Sequence, residues 1–268
     1  MSMLPYYALL CLTAFLAGIV NALAGGGTLL TFPALNAALI ALGTVANPSV
    51  CANGTSTVAL VPAAISSAWA YRRELGVVRK WLKLLVLPSI VGGTAGALLV
   101  TWYPDAFEGM IPWLILTATV LFTLQPLVIR RLKKLDDAPL TQLGMALLVL
   151  AQLGVAIYGG YFGAGIGILM LSTLGLMGLK NLHEMNALKV VLGGCINGLA
   201  IVVFVVQDIR GQDTIHWPFA LAMMGSAVAG GYVGANYGRR FPPKYVRIFV
   251  VAVGFALSLF YFWKTLAG

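Results

Sequence analysis

Ten consecutive stretches of this chain are apolar enough, and most of them long enough, to lie inside a lipid bilayer: 4–24, 28–46, 48–71, 82–102, 109–129, 139–160, 166–179, 185–206, 216–236 and 245–264. A helix needs about 20 apolar residues to cross the hydrocarbon core. Ten such helices take up roughly 200 residues, which leaves a 268-residue chain short loops and no separate water-soluble domain. Only 9% of the residues are charged, whereas a soluble domain carries about 25% to cover its surface. The chain therefore reads as a polytopic, all-α integral membrane protein. Disorder, collagen and small disulfide scaffolds are excluded by the same composition. The 31 glycines fit helices that approach one another closely or break within the membrane. Ala22-Leu23-Ala24 imitates a signal-peptidase site, but no Lys or Arg precedes it, so an uncleaved first helix is expected.

A formal charge of +9 would suggest nucleic acid in a soluble protein, but here the positions of the charges decide otherwise. Arg72, Arg73, Arg79, Lys80 and Lys83 form one cluster, Arg130, Arg131, Lys133 and Lys134 a second, and Arg239, Arg240, Lys244 and Arg247 a third. Each stands beside a long apolar run, which marks cytoplasmic loops by the positive-inside rule. No aromatic residues interleave with them in the manner of a nucleic-acid surface, so nucleic acid is not an expected partner. Cys11, Cys51 and Cys195 share no CxxC or metal-ligand spacing and read as small packing residues.

The chain repeats itself. Gly92-Gly93-Thr94-Ala95-Gly96-Ala97 recurs as Gly230-Gly231-Tyr232-Val233-Gly234-Ala235, a displacement of 138 residues that also carries Gly25-Gly26-Gly27 onto Gly163-Ala164-Gly165 and Pro104 onto Pro242. With short gaps Trp81 falls near Trp217, and Asn53-Gly54-Thr55-Ser56 on Asn186-Ala187-Leu188-Lys189. Two repeats follow, 1–135 and 136–268, of about five helices each. Loop polarity is reversed between them: 72–83 is basic while its counterpart holds Asp208, Arg210 and Asp213, and the loop with Asp105 and Glu108 corresponds to basic 239–247. An odd number of crossings per repeat has the same consequence. The expectation is a pair of inverted-topology repeats with both termini outside, an architecture typical of secondary transporters.

Glycine interrupts corresponding segments, Asn21-Ala22-Leu23-Ala24-Gly25-Gly26-Gly27-Thr28 and 159–167 with Gly163 and Gly165 at its centre. Each glycine costs about 1 kcal/mol in a helix relative to alanine, so these are breaks. They are either unwound, re-entrant backbone beside a cavity, which would be the best pointer to a binding site, or tight loops at the membrane edge. After the first break, Asn53, Thr55 and Ser56 supply an amide and hydroxyls that suit a helix N-terminus facing an anion. After the second, Asn186 and Lys189 occupy the matching places, with Asn197 further along. An ammonium at a membrane-helix centre costs about 2.5–3.5 kcal/mol, which a bound anion would offset; otherwise Lys189 snorkels to the interface. Glu184 and His183 are the candidates for proton coupling. No HExxH, P-loop or dinucleotide fingerprint occurs, so no cofactor, metal or enzyme chemistry is expected.

These motifs, from Gly18 through Gly25-Gly26-Gly27 to Phe32-Pro33, then Asn53-Gly54-Thr55-Ser56, then 159–167 followed by Asn186-Ala187-Leu188-Lys189, closely resemble the TauE/SafE sulfite exporter family. The resemblance covers nearly the whole chain. It implies a multi-pass permease of the bacterial inner membrane that moves small sulfur-containing anions such as sulfite or short organosulfonates. Lys189, Asn53, Thr55, Ser56, Asn186, Asn197, Asn21, Gly25, Gly26, Gly27, Gly163 and Gly165 would then form the substrate site. An ion-coupled transporter of a carboxylate or amino acid is the near alternative, and a non-transport membrane scaffold the distant one. The expected partners are the anion and membrane lipid, and a homodimer is compatible with such a chain.

Overall fold

The computed structural model describes residues 3–24, 26–70, 74–132, 141–175, 182–237 and 243–267. Among these the chain forms ten α-helices and no strand: α1 Leu4–Ala24, α2 Thr28–Leu42, α3 Pro48–Ala70, α4 Arg79–Trp102, α5 Pro104–Leu132, α6 Gln142–Tyr161, α7 Ile166–Gly175, α8 Leu182–Ile209, α9 Trp217–Tyr237 and α10 Pro243–Ala267. Gly25, Arg72, Arg73, Lys133, Lys134, Arg239 and Arg240 lie outside the described residues.

Each apolar run became a helix, and the ends follow from local chemistry. Thr141 caps α6 by accepting the Gly144 N–H at 3.1 Å. Gly43, with φ of 60°, closes α2 in the left-handed conformation that glycine adopts at little cost. The start of α5 differs from expectation: it begins at Pro104, not near 109, because Pro at the first helical position and Asp105 in the first turn favour a helix start although they look like loop. Five helices, α1, α4, α5, α6 and α8, contain windows long and apolar enough to cross a membrane. With 15 residues, α2 covers only about 22 Å, short of the ~30 Å core.

Apolar side chains cover the outside. Leu87, Trp113, Leu143, Leu150, Leu221, Leu259 and Trp263 are exposed, whereas Asn36, Asn53, Thr55, Ser56 and Gln152 are buried. Leucine outside with asparagine and glutamine inside is the arrangement of a chain solvated by lipid. The helices meet through glycine. The most extensive pairs are α1 with α9 and α4 with α6. A Cβ on Gly230 would overlap the Phe15 carbonyl of α1, and one on Gly92 would stand 2.7 Å from the Leu153 carbonyl of α6. The 138-residue shift that carries Gly92 to Gly230 also carries Phe15 to Leu153, so the two contacts correspond.

The charge pattern makes a prediction about this bundle. Cysteines introduced at Tyr103 and Gln212, both exposed, should react with a membrane-impermeant maleimide on intact cells. One at exposed Gly76 should react only after permeabilisation. Reaction at 212 that also needed permeabilisation would refute the inversion.

Candidate functional site

Both glycine breaks lie inside the bundle. Gly26 and Gly27, between α1 and α2, are buried. A Cβ on Gly26 would collide with the Phe122 ring of α5. Between α6 and α7, Gly163 and Gly165 both have φ of +78°, a conformation that a side chain disfavours by roughly 1–2 kcal/mol. A Cβ on Gly165 would stand 3.5–3.7 Å from Leu121 and Ala118. The two breaks therefore rest on neighbouring turns of α5, at least about 15 Å from either of its ends at 1.5 Å per residue. This favours broken backbone within the fold over tight loops at its rim. Asn21 is half-buried in the last turn of α1.

Irregular backbone at this depth must be satisfied by protein, and at the second break it is. The Tyr158 hydroxyl donates to the Ala164 carbonyl at 2.6 Å, and Asn53 Nδ2 donates to the Tyr161 carbonyl at 3.0 Å. Phe162 is fully buried, edge-on to Phe32 of α2 at 5.2 Å. Tyr158→Phe should destabilise the protein by about 1–3 kcal/mol, the usual cost of a buried group left unpaired. Thermal unfolding in detergent measures this, and an unchanged midpoint would show that the hydroxyl contributes nothing.

The Asn53-Gly54-Thr55-Ser56 step corrects one expectation. Asn47, not Asn53, begins the helix: its carbonyl accepts the Cys51 N–H at 3.0 Å, and Pro48 takes the first helical position. Residues 53–56 therefore lie beyond the first turn, with their N–H groups inside the helical ladder. Their side chains point to three different elements. Asn53 holds the second break, Thr55 Oγ1 accepts the His216 N–H at 2.9 Å, and the Ser56 hydroxyl lies 2.6 Å from that of Thr31 on α2. Thr31 in turn donates to the Gly27 carbonyl at 3.3 Å. Here the step acts as a clamp between elements. Tyr161, His216 and Thr31 were not legible as its partners, nor were Tyr158 and Phe122 as supports of the two breaks.

On α8 the pattern is the reverse. Asn186, Lys189 and Asn197 are half-buried, and among the described residues their side chains make no hydrogen bond or ion pair. With Gly193 they follow the i, i+3, i+7, i+11 spacing of one helix face. Asn197 Oδ1 lies 3.9 Å from where a Cβ on Gly163 would stand, so this face reaches the second break. A Cβ on Gly193 or Gly198 would meet nothing within 4 Å. Open space therefore lies at Gly193 on this face, which carries an ammonium with no partner among the described residues. Lys189 sits about 12 Å along α8 from Asn197, so it is near the break but not against it. Glu184 is half-buried in the first turn of α8, and the His183 side chain lies outside the described residues.

His216 stands at the start of α9. Its Nδ1 accepts the Phe219 N–H at 3.3 Å, and its ring stacks on Phe219 at 4.0 Å.

The family model described as sulfite exporter TauE/SafE matches residues 10–261. A probable membrane transporter protein of Haemophilus influenzae is 29% identical over 257 residues, covering 94% of this chain and 92% of its own. Probable membrane transporter protein ORF9 of a Sinorhizobium species is 27% identical over 255 residues, with 94% and 90% covered. Probable membrane transporter protein YfcA of Escherichia coli K12 is 28% identical over 252 residues, with 91% and 85% covered. No solved structure matches the chain.

Proposed function

Because this chain belongs to the sulfite exporter TauE/SafE family, we propose that it is a secondary transporter, and an exporter, of small sulfur-containing anions such as sulfite or short organosulfonates across the bacterial inner membrane. One observation carries the reading: two glycine breaks rest on the middle of α5, and the second adjoins a polar face of α8 with open space at Gly193 and a lysine that has no partner among the described residues. Lys189 neutralises the anion, Asn186 and Asn197 donate hydrogen bonds along the path, and backbone at Gly26, Gly27, Gly163 and Gly165 comes close to it. Asn53, Thr55 and Ser56 act from the opposing wall, where their present partners would exchange for substrate as the protein changes state. Asn21 and Gly25 complete the first break. Glu184 and His183 are proposed to couple transport to protons.

The corresponding contacts of Gly92 with Leu153 and Gly230 with Phe15 support two inverted repeats, 1–135 and 136–268, as the moving parts. The names of the relatives support membrane transport as the class. Purified protein in liposomes loaded with radiolabelled sulfite should show efflux that follows an imposed pH gradient or potential. Efflux no faster than from protein-free liposomes would overturn the substrate assignment. A carboxylate or amino acid that moved instead would establish the alternative.

A further inference from the structure

The segment between α8 and α9 folds into the bundle although nothing in its composition requires it. Gly211 and Asp213 have φ of 85° and 46°, which turns the chain back. Thr214 and Ile215 are then buried at 1% and 5% exposure, among exposed neighbours at 210–213. Hydrogen bonds along its whole length seat the turn. Thr214 Oγ1 donates to the Phe204 carbonyl at 2.6 Å, and the His216 N–H donates to Thr55 at 2.9 Å. The Ile215 N–H and the Trp217 indole donate to the two Asp208 oxygens at 3.0 and 2.9 Å. The Gly211 N–H donates to the Asp208 carbonyl at 2.9 Å. Gly54 on α3 makes room for it, since a Cβ there would overlap the Thr214 carbonyl.

The related segment before α4 docks differently. Val78, fully buried, joins one apolar cluster with Met185 and Leu188 of α8. The 208–216 segment has an apolar anchor too, Ile215 in the main core cluster, and opening it would expose that side chain and exchange its hydrogen bonds for bonds to water at about 1 kcal/mol each. What sets this segment apart is its latch: the His216 N–H is held by Thr55, itself a proposed substrate residue, so substrate and segment compete for one hydroxyl.

We propose that residues 208–216 are a gate that closes the α3 side of the site from the extracytoplasmic face, with Thr55 as its latch. Its purpose rests on the transporter reading, but its geometry does not. Cys51 reports on it: the thiol is fully buried, 3.8 Å from the Thr55 hydroxyl that holds His216.

The test uses full-length protein with Cys11→Ala and Cys195→Ala, leaving Cys51 as the only thiol. In this parent Cys51 should react slowly with a membrane-impermeant methanethiosulfonate added to intact cells. Gly54→Ala, which pushes on Thr214, and Asp208→Ala, which removes two seats, should each speed the reaction by at least about tenfold, the effect of losing one to two net hydrogen bonds. Asp208 lies at the end of α8, so Asp208→Ala carries the test if Gly54→Ala does not fold. Equal rates in parent and variants, or acceleration only after permeabilisation, would overturn the gate. Acceleration in a protein that moves no sulfite supports the gate and counts against the substrate alone.

Discussion

Lys189→Met should lower the affinity for sulfite at least about a hundredfold in detergent-purified protein that remains monodisperse. Removing one member of a buried ion pair costs about 3–5 kcal/mol, and each 1.4 kcal/mol is about a factor of ten. The geometry makes this a sharp test. Among the described residues nothing pairs with Lys189, so none of them loses a partner in the variant. Lys189→Arg should keep part of the affinity and change selectivity, because a guanidinium is larger and planar. Calorimetry reads both. Parental affinity in Lys189→Met would return the lysine to an interfacial role and move the anion site elsewhere.

Gly26→Leu should abolish transport while the protein still inserts. The new side chain would occupy the volume of the Phe122 ring, which is fully buried on α5, and overpacking of this kind costs about 1–3 kcal/mol or more. Combining it with Phe122→Ala frees that volume, so the double variant should regain a measurable part of the efflux. Vesicle efflux scores all three proteins. Parental efflux from Gly26→Leu would show that the break tolerates bulk and is not seated against α5. Rescue by Phe122→Ala separates this contact from a general failure to fold.

The helices were legible because a lipid-solvated helix must be apolar along its length, and the breaks because three clustered glycines oppose a helix. The place of residues 53–56 was not: they resemble a cap, yet they lie inside α3, beyond a proline that already fixes its first turn. The connections of the site were hidden for a different reason. Asn53 and Thr55 bond to the Tyr161 carbonyl and the His216 N–H, 108 and 161 positions away. Every residue except proline presents the same backbone N–H and carbonyl, so no residue type marks those partners. Thr31 and Tyr158 were missed because each is one polar group within an apolar helix. Lys189 stood out because its charge is unusual wherever the chain places it.

The close pairing of α1 with α9 and α4 with α6 has a consequence for how the protein is made. Each pair joins a helix from the first half of the chain to one from the second. Gly18 of α1 is fitted to Ala227 and Gly231, and Gly93 of α4 to Ile196 of α8. At a synthesis rate of about 5–20 residues per second, α1 leaves the ribosome roughly 10–40 seconds before its partner exists. For that interval its notched face has only lipid or the insertion machinery beside it. A nascent chain that stalls after α5 would be an unmatched half, exposed to the membrane proteases that remove such fragments, and not a smaller working protein.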